Sequence, residues 1–156
     1  MVEGRTPLVT GIHLAAAARE PMVSVEEVHA VAGRGLEGDR YFDGSGTYSD
    51  EEGEGRAVTL IEVEALERLR AEYDIDLEPS ESRRNIATQG ISLDQLIGRE
   101  FRVGEVRMRG IRSCEPCAHL MEMTGKKVLR GLVHRGGLRA EIVSDGTIHV
   151  GDPIIE

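Results

Sequence analysis

Hydrophobic and polar residues alternate over several short stretches of the chain, and this pattern predicts strands rather than long helices. In the stretch VSVEEVHAVA, Val23 and Val25 share one face, and a bulge would bring Val28 and Ala30 to an apolar face as well. Near the C-terminus, the strands LRAEIV and TIHVG are predicted to form a hairpin around the turn Ser144-Asp145-Gly146. The predicted strands cover residues 8–16, 23–32, 56–61, the stretch RRNIATQG, REFRVG, VRMRGIRS and the two hairpin strands.

Helical spacing is confined to a few segments between these strands. Thr59 and Glu62 have capping-box spacing before residues 61–73, where Leu66, Leu69 and Tyr73 would share one face. Other helices are expected at SLDQLI, capped by Ser92 and Gln95 and ended by Gly98, after Pro116, and over residues 126–133. The sequence therefore predicts a mostly β, β-rich α+β fold, a small barrel with two or three inserted helices.

Length and composition narrow the class of protein. The 156 residues suit a single domain, 1–156, in which the acidic, glycine-rich stretch 41–55 would be a mobile loop. A net charge of −9 and few aromatic residues argue against a nucleic-acid binder. We expect no signal peptide and no membrane span, and hence a cytoplasmic protein with reduced thiols.

Basic residues are concentrated in the middle of the chain. Residues 1–82 carry a net charge of −12, whereas residues 83–139 carry +7. An anionic ligand could bind to this basic segment, although most of its arginines would also suit the solvated faces of strands. The glycines of GRGLEG (33–38) match a dinucleotide fingerprint in letters only, because no helix can follow them, and they predict a tight turn.

Both cysteines lie in RSCEPCAHL, and the pair has several interpretations. Cys114 and Cys117 with His119 and His134 could bind zinc, but a second cysteine pair is missing. A thioredoxin-like redox pair would need a βαβ context, and a buried, inert thiol is also possible. Cys117 differs from Cys114, because Pro116 places it near a helix start, where thiolate is favoured. A thiolate beside basic side chains suits a soft metal ligand or a sulfur acceptor.

Several stretches in a fixed order, from about residue 11 to residue 154, resemble the MOSC domain family, the C-terminal domain of molybdenum cofactor sulfurases. The resemblance implies a closed, barrel-like β fold that binds molybdenum cofactor (molybdopterin) or handles its sulfur. It also implies a stand-alone member without pyridoxal phosphate in this chain, which would need a separate electron donor or cysteine desulfurase. The stretches are GLEGDR, RAVTLIEVEAL, RRNIATQGISLDQLIG, RSCEPC and RGGLRAEIVSDGTIHVGDPI.

The resemblance also assigns roles to individual residues. The family's cysteine falls on Cys117, which would bind molybdenum or carry a persulfide. The family's Arg and Asn fall on Arg83 and Asn85, and its Gly-Asp pair falls on Gly38 and Asp39. Arg83 suits a phosphate, Asn85 a pterin edge, and Asp39 either a pterin N–H or a turn cap. Arg84 and Arg112 complete the candidate cofactor site, with salt bridges or solvent exposure as the alternative.

Two functions remain open at this stage. The first is a molybdenum cofactor protein, either a reductase of N-hydroxylated compounds or a sulfur carrier, with Cys117 as the working residue. The second is a non-catalytic domain that binds a small anion or a partner and retains the fold only.

Overall fold

The computed structural model describes residues 5–16, 21–39, 57–114 and 137–156, without the side chains of residues 80 and 81. The predicted loop 41–55 and the helices expected after Pro116 and over residues 126–133 lie outside these ranges. The described residues form strands β1 (Leu8–Leu14), β2 (Val23–Val25), β3 (Glu27–Val31), β4 (Gly35–Leu36), β5 (Val58–Glu62), β6 (Ile86–Gln89), β7 (Glu100–Val103), β8 (Val106–Ser113), β9 (Leu138–Ile142), β10 (Gly146–His149) and β11 (Ile154–Ile155). They also form one α-helix, α1 (Val63–Tyr73), and two 3₁₀ helices, Pro79–Ser82 and Leu93–Leu96.

The main sheet has eight strands in the order β11-β7-β8-β9-β5-β6-β1-β2 and curls on itself. The segment before β11 closes the curl by bonding to β1, as the Val9 N–H donates to the Asp152 carbonyl over 2.9 Å. The Gly151 N–H donates back to the Val9 carbonyl over 2.8 Å, and Leu8 bridges Pro153. Such closure removes exposed strand edges, and it confirms the expected mostly β, barrel-like architecture.

A three-stranded sheet, β10-β3-β4, adds to the same hydrophobic core. Val28 and Ala30 of β3, Leu36 of β4 and Ile148 of β10 are buried with the inward residues of the large sheet. Alternating strand residues thus enter one shared core, as the hydrophobic pattern predicted.

Helix α1 connects β5 to β6, which pair in parallel. A parallel pair needs a crossover, and α1 supplies it outside the barrel. Its residues Leu66 and Leu69 pack with Ile61 and Ala87 in a second, smaller cluster. Tyr73, expected on the same apolar face, is 42% exposed.

The predicted capping box at the start of α1 is wrong. Glu62 is the N-cap residue without a side-chain cap bond, and Thr59 lies within β5. Glu62 Oε2 instead accepts the Leu93 N–H, in the second 3₁₀ helix, over 3.2 Å. Both side chains that the local spacing assigned to a cap therefore form hydrogen bonds with residues distant in the sequence. The other predicted cap is also absent, because Ser92 precedes its 3₁₀ helix with no side-chain cap bond.

The predicted C-terminal hairpin is wrong as well, although both of its strands exist. β9 pairs with β5 and β8, whereas β10 pairs with β3 in the other sheet. The Asp145 carboxylate accepts the Ala32 N–H over 2.7 Å and thereby ties the connection to the end of β3. An Asp-Gly turn signal is local, and the choice of strand partner is not.

No helix in the described ranges is long and apolar enough to cross a lipid bilayer.

Candidate functional site

One end of the barrel collects most of the predicted site residues. Strand pairing places the first residues of β6 and β9 on either side of Leu60 in the middle of β5, and the C-terminal ends of β1 and β8 pair with those same starts of β6 and β9. Four predicted residues lie at or beside these strand ends: Asp39, Arg83, Arg84 and Asn85. We call this region the arginine end of the barrel.

Asn85 lies just before β6 and joins the two strands that flank it. Its side-chain Oδ1 accepts both the N–H and the hydroxyl of Thr59, each over 3.1 Å, and its Nδ2 donates to the His13 carbonyl over 3.2 Å. Its backbone N–H donates to the Thr59 carbonyl, and its carbonyl accepts the His13 N–H. The residue is fully buried. These bonds engage the amide of Asn85 in holding β1 and β5 together, so its role in a site is to position its neighbours.

Arg83 is buried in an unusual backbone conformation. Arg83 is only 6% exposed, and its φ of 64° lies in the left-handed region. A bulky residue adopts that region at a cost of about 1–2 kcal/mol, and such strain is concentrated at functional sites. Arg83 makes polar interactions, yet among the described residues none forms a hydrogen bond to its buried Nε and Nη2 atoms. These two nitrogens form one edge of the guanidinium, the edge that can donate two parallel bonds to one anion.

Arg84 connects the arginine end to the strand that leads towards the second cysteine. Its Nη1 donates to the Ser82 carbonyl over 3.3 Å, and its Nη2 donates to the Cys114 carbonyl over 3.1 Å. Because β5 and β9 lie between β6 and β8 in the sheet, the Arg84 side chain connects the segment before β6 to the end of β8 past these two strands. Arg84 therefore holds the start of the segment that contains Cys117.

Asp39 fastens the end of β1. Its Oδ1 accepts the Ala15 N–H over 3.1 Å, and its own N–H donates to the Leu36 carbonyl. The residue is 1% exposed, and Gly38 before it has a φ of 88°, which closes a turn that glycine favours. Of the two roles foreseen for Asp39, this geometry favours a structural tie. The tight turn expected for GRGLEG is confirmed, because its glycines bracket the short strand β4.

Arg112 is exposed on β8, at the edge of the arginine end. Its partner across the strand pair is Arg139 of β9, and Arg139 in turn is opposite Thr59 of β5. Local sequence patterns assign Thr59 to a helix cap and give Arg139 no role in a site, because only the strand register brings them beside Asn85 and Arg112.

His13 is a third residue that the sequence did not reveal. It is 7% exposed, its Nδ1 lies 3.0 Å from the Ser24 hydroxyl, and its Nε2 has no hydrogen-bond partner in the described residues. Burial lowers the pKa of the His13 imidazole, so the neutral ring is favoured in the folded chain. The contact of the His13 backbone with Asn85 makes it a structural neighbour of the site.

The remaining candidates lie partly outside the described residues. Cys114 carries a free, buried thiol. Cys117, His119 and His134 belong to a range that the structure does not describe. Within the described ranges, no group of three or more His, Cys, Asp or Glu side chains could hold a metal ion.

The described residues fit a ligand that carries a phosphate. A phosphate needs cations with paired donors in a partly desolvated setting, and Arg83 presents a buried donor edge of that kind. Arg84 and Arg112 add positive charge nearby, and the segment that follows Cys114 supplies a second thiol three residues on.

Comparison with known proteins gives a family model that matches the sequence and solved structures that match the fold. The MOSC domain model matches residues 47–155. The YuaD protein from Bacillus subtilis has a similar solved structure, with a TM-score of 0.78, 16% identity, and coverage of 96% of this chain and 94% of that chain. YiiM from Geobacillus stearothermophilus gives a TM-score of 0.73 at 14% identity, covering 96% and 74% of the two chains. YiiM from Escherichia coli gives 0.64 at 17% identity, covering 94% and 68%. Among curated protein sequences, none matches.

Proposed function

The chain belongs to the MOSC domain family, and from that premise we propose that it binds molybdenum cofactor at the arginine end of its barrel. In this proposal Arg83 holds the phosphate of the cofactor, Arg112 adds positive charge, and Cys117 binds molybdenum or carries sulfur. Arg84, Asn85, Asp39 and Gly38 keep these residues in position. The cofactor would supply a redox-active metal and dithiolene sulfurs.

The observation that carries the proposal is the bond from Arg84 to the Cys114 carbonyl. It connects the loop of buried arginines to the strand end that leads to Cys117. A loop with a phosphate donor edge next to the strand end that precedes Cys117 by three residues in sequence supports the proposal. A ligand with a phosphate at one point and a soft metal or sulfur at another matches that combination.

Two chemistries follow from a thiolate at Cys117. As a metal ligand, it would hold molybdenum while a separate electron donor supplies electrons for the reduction of an N-hydroxylated compound. As a sulfur carrier, it would attack the outer sulfur of a persulfide on a cysteine desulfurase. The new Sγ–S bond forms as the donor's S–S bond breaks, and the desulfurase cysteine leaves as a thiolate. Both chemistries suit a cytoplasmic protein, where thiols stay reduced.

Metal analysis tests the proposal directly. The protein is produced with an intact cofactor pathway, and molybdenum and pterin per chain are measured in wild type, Cys117→Ser and Cys114→Ser. We expect near-stoichiometric metal in wild type, loss of metal in Cys117→Ser, and retention in Cys114→Ser, because the Cys114 backbone carbonyl that accepts the Arg84 bond stays in place in the variant.

The alternative function is a domain that binds a small anion or a partner without redox or sulfur chemistry. It is supported if wild type carries neither molybdenum nor a persulfide on Cys117. Zinc that disappears in both cysteine variants would contradict both functions and support a zinc site formed by the cysteine pair.

A further inference from the structure

A β-bulge interrupts β8 at the arginine end of the barrel. Gly110 is opposite Ala140 in the pairing with β9, but the next pair is Arg112 with Arg139. Ile111 is therefore an extra residue on β8, without a partner of its own on β9.

The bulge decides where Arg112 points. Before it, Val106, Met108 and Gly110 alternate onto the buried face of the strand. Regular alternation would place Arg112 on that same face, inside the barrel. The extra residue turns Arg112 to the opposite face, where it is exposed beside Arg139. Bulges next to active sites commonly re-aim a side chain in this way.

The resulting neighbours differ in charge from the next pair along the same strands. Arg109 is opposite Glu141, as a cross-strand pair of opposite charge should be. Arg112 and Arg139 are instead two cations in direct opposition, an arrangement that is destabilising by itself. Each also makes polar interactions elsewhere. The strand register thus places two arginines opposite each other at one position and an Arg-Glu pair at the neighbouring one.

We propose that Arg139, together with Arg112, binds a phosphate-class anionic group of the ligand. Arg139 lies between Arg112 and Thr59, and the Thr59 hydroxyl bonds to Asn85 two residues after Arg83. The strand register therefore places the pair next to β5, whose Thr59 is bonded to the segment that contains Arg83. The inference rests on the proposed function for the identity of the molecule that carries the anion, and on the described residues alone for the site.

Inorganic phosphate is a sufficient probe of this site. Its binding is measured by calorimetry at constant ionic strength, with chloride as the reference anion, on the full chain. The variants are Arg139→Gln and Arg112→Gln, with Arg109→Gln as a matched control that removes one positive charge from the same strand. We expect the Kd for phosphate to rise about tenfold in the first two variants and to change less than twofold in the control.

Three results would overturn the inference: no phosphate binding in wild type, unchanged binding in the Arg139 and Arg112 variants, or an equal loss in Arg109→Gln. Should Arg139→Gln fail to fold, Arg112→Gln decides alone, because an exposed side chain can be changed at little cost to stability. Cys117→Ser separates this inference from the proposed function. We expect that variant to bind phosphate normally even though it loses molybdenum, so either claim can fail without the other.

Discussion

The two ends of the barrel have opposite charge and use their charged residues differently. At the arginine end, Arg83 and Arg84 are buried, and the Arg84 side chain donates to the Ser82 and Cys114 carbonyls. At the other end, which we call the acidic end, Glu62 and Glu64 accept the N–H groups of Leu93 and Gly90. A cavity of about 220 Å³ lies there too, lined by Pro7, Gly90, Ile91, Ser92, Gln95, Ile154 and Glu156.

A cavity alone does not identify where a ligand with a phosphate would bind. Carboxylates beside the cavity repel a phosphate, whereas the arginine end attracts one. Burial raises the pKa of Glu62, and repulsion from Glu64 and Asp94 raises it further, against the opposing effect of the Leu93 N–H bond. The neighbouring carboxylates thus add to the larger effect of burial on the pKa of Glu62.

The largest expected effect is on stability, from Asn85→Ala at the arginine end. The change leaves the Thr59 N–H and the His13 carbonyl buried without their side-chain partner. We expect the free energy of unfolding in urea to fall by about 3 kcal/mol, the cost of several buried hydrogen bonds. A loss below about 1 kcal/mol would show that Asn85 does not hold β1 and β5 together, and would favour direct contact between Asn85 and the cofactor.

A smaller loss is expected for Arg84→Ala, which removes the bonds to the Ser82 and Cys114 carbonyls. We expect a decrease of about 2 kcal/mol in the free energy of unfolding, and a similar decrease for Arg84→Lys, because one ammonium cannot span both carbonyls as a guanidinium does.

The matched control is Arg107→Ala, which breaks an exposed ion pair with Glu100 and should cost less than about 1 kcal/mol. Equal losses in the Arg84 and Arg107 variants would contradict a special role for Arg84 at the arginine end.

The smallest effect is predicted at the acidic end, for Glu62→Gln. The raised pKa means that folded Glu62 binds a proton more readily than the unfolded residue does. Its contribution to stability therefore falls as pH rises from about 4.5, the unfolded value, through the raised folded value. We expect Glu62→Gln to be more stable than wild type at pH 7, by up to about 1 kcal/mol, and to lose this advantage near pH 4.

Unfolding free energies at both pH values check this prediction, with the exposed Glu72→Gln as a control that should show no such trend. A Glu62→Gln variant that is less stable than wild type at pH 7 would mean that the carboxylate is needed for its bond to Leu93.

The sequence predicted the barrel well, because alternation in a half-buried strand reports directly on its two faces. It failed where partners are chosen at long range. The Asp145-Gly146 turn predicted a hairpin, yet β10 pairs with β3, since the hydrophobic faces of separate sheets meet in one core. Thr59 and Glu62 had the spacing of a cap, but each has a stronger partner across the fold.

The candidate site was predictable to a similar extent. The family resemblance singled out Arg83, Asn85 and Asp39, and the basic middle of the sequence added Arg84. The structure places all four at or beside neighbouring strand ends. The resemblance did not distinguish residues that bind a ligand from residues that hold strands together, because that distinction depends on the hydrogen-bond partners of each amide and guanidinium. Arg139 was missed because its meaning depends on the register with Arg112. The broken alternation at Gly110-Ile111 was the one local sign of the bulge.

The central claim is that the arginine end binds the cofactor, and Arg83→Asn tests it most directly. Asparagine tolerates the left-handed backbone at position 83, so the variant removes the guanidinium while keeping the fold. Molybdenum and pterin per chain are measured after production with an intact cofactor pathway, beside Glu62→Gln from the acidic end. The account predicts loss of both from Arg83→Asn and full content in Glu62→Gln. Full content in a folded Arg83→Asn variant would contradict it.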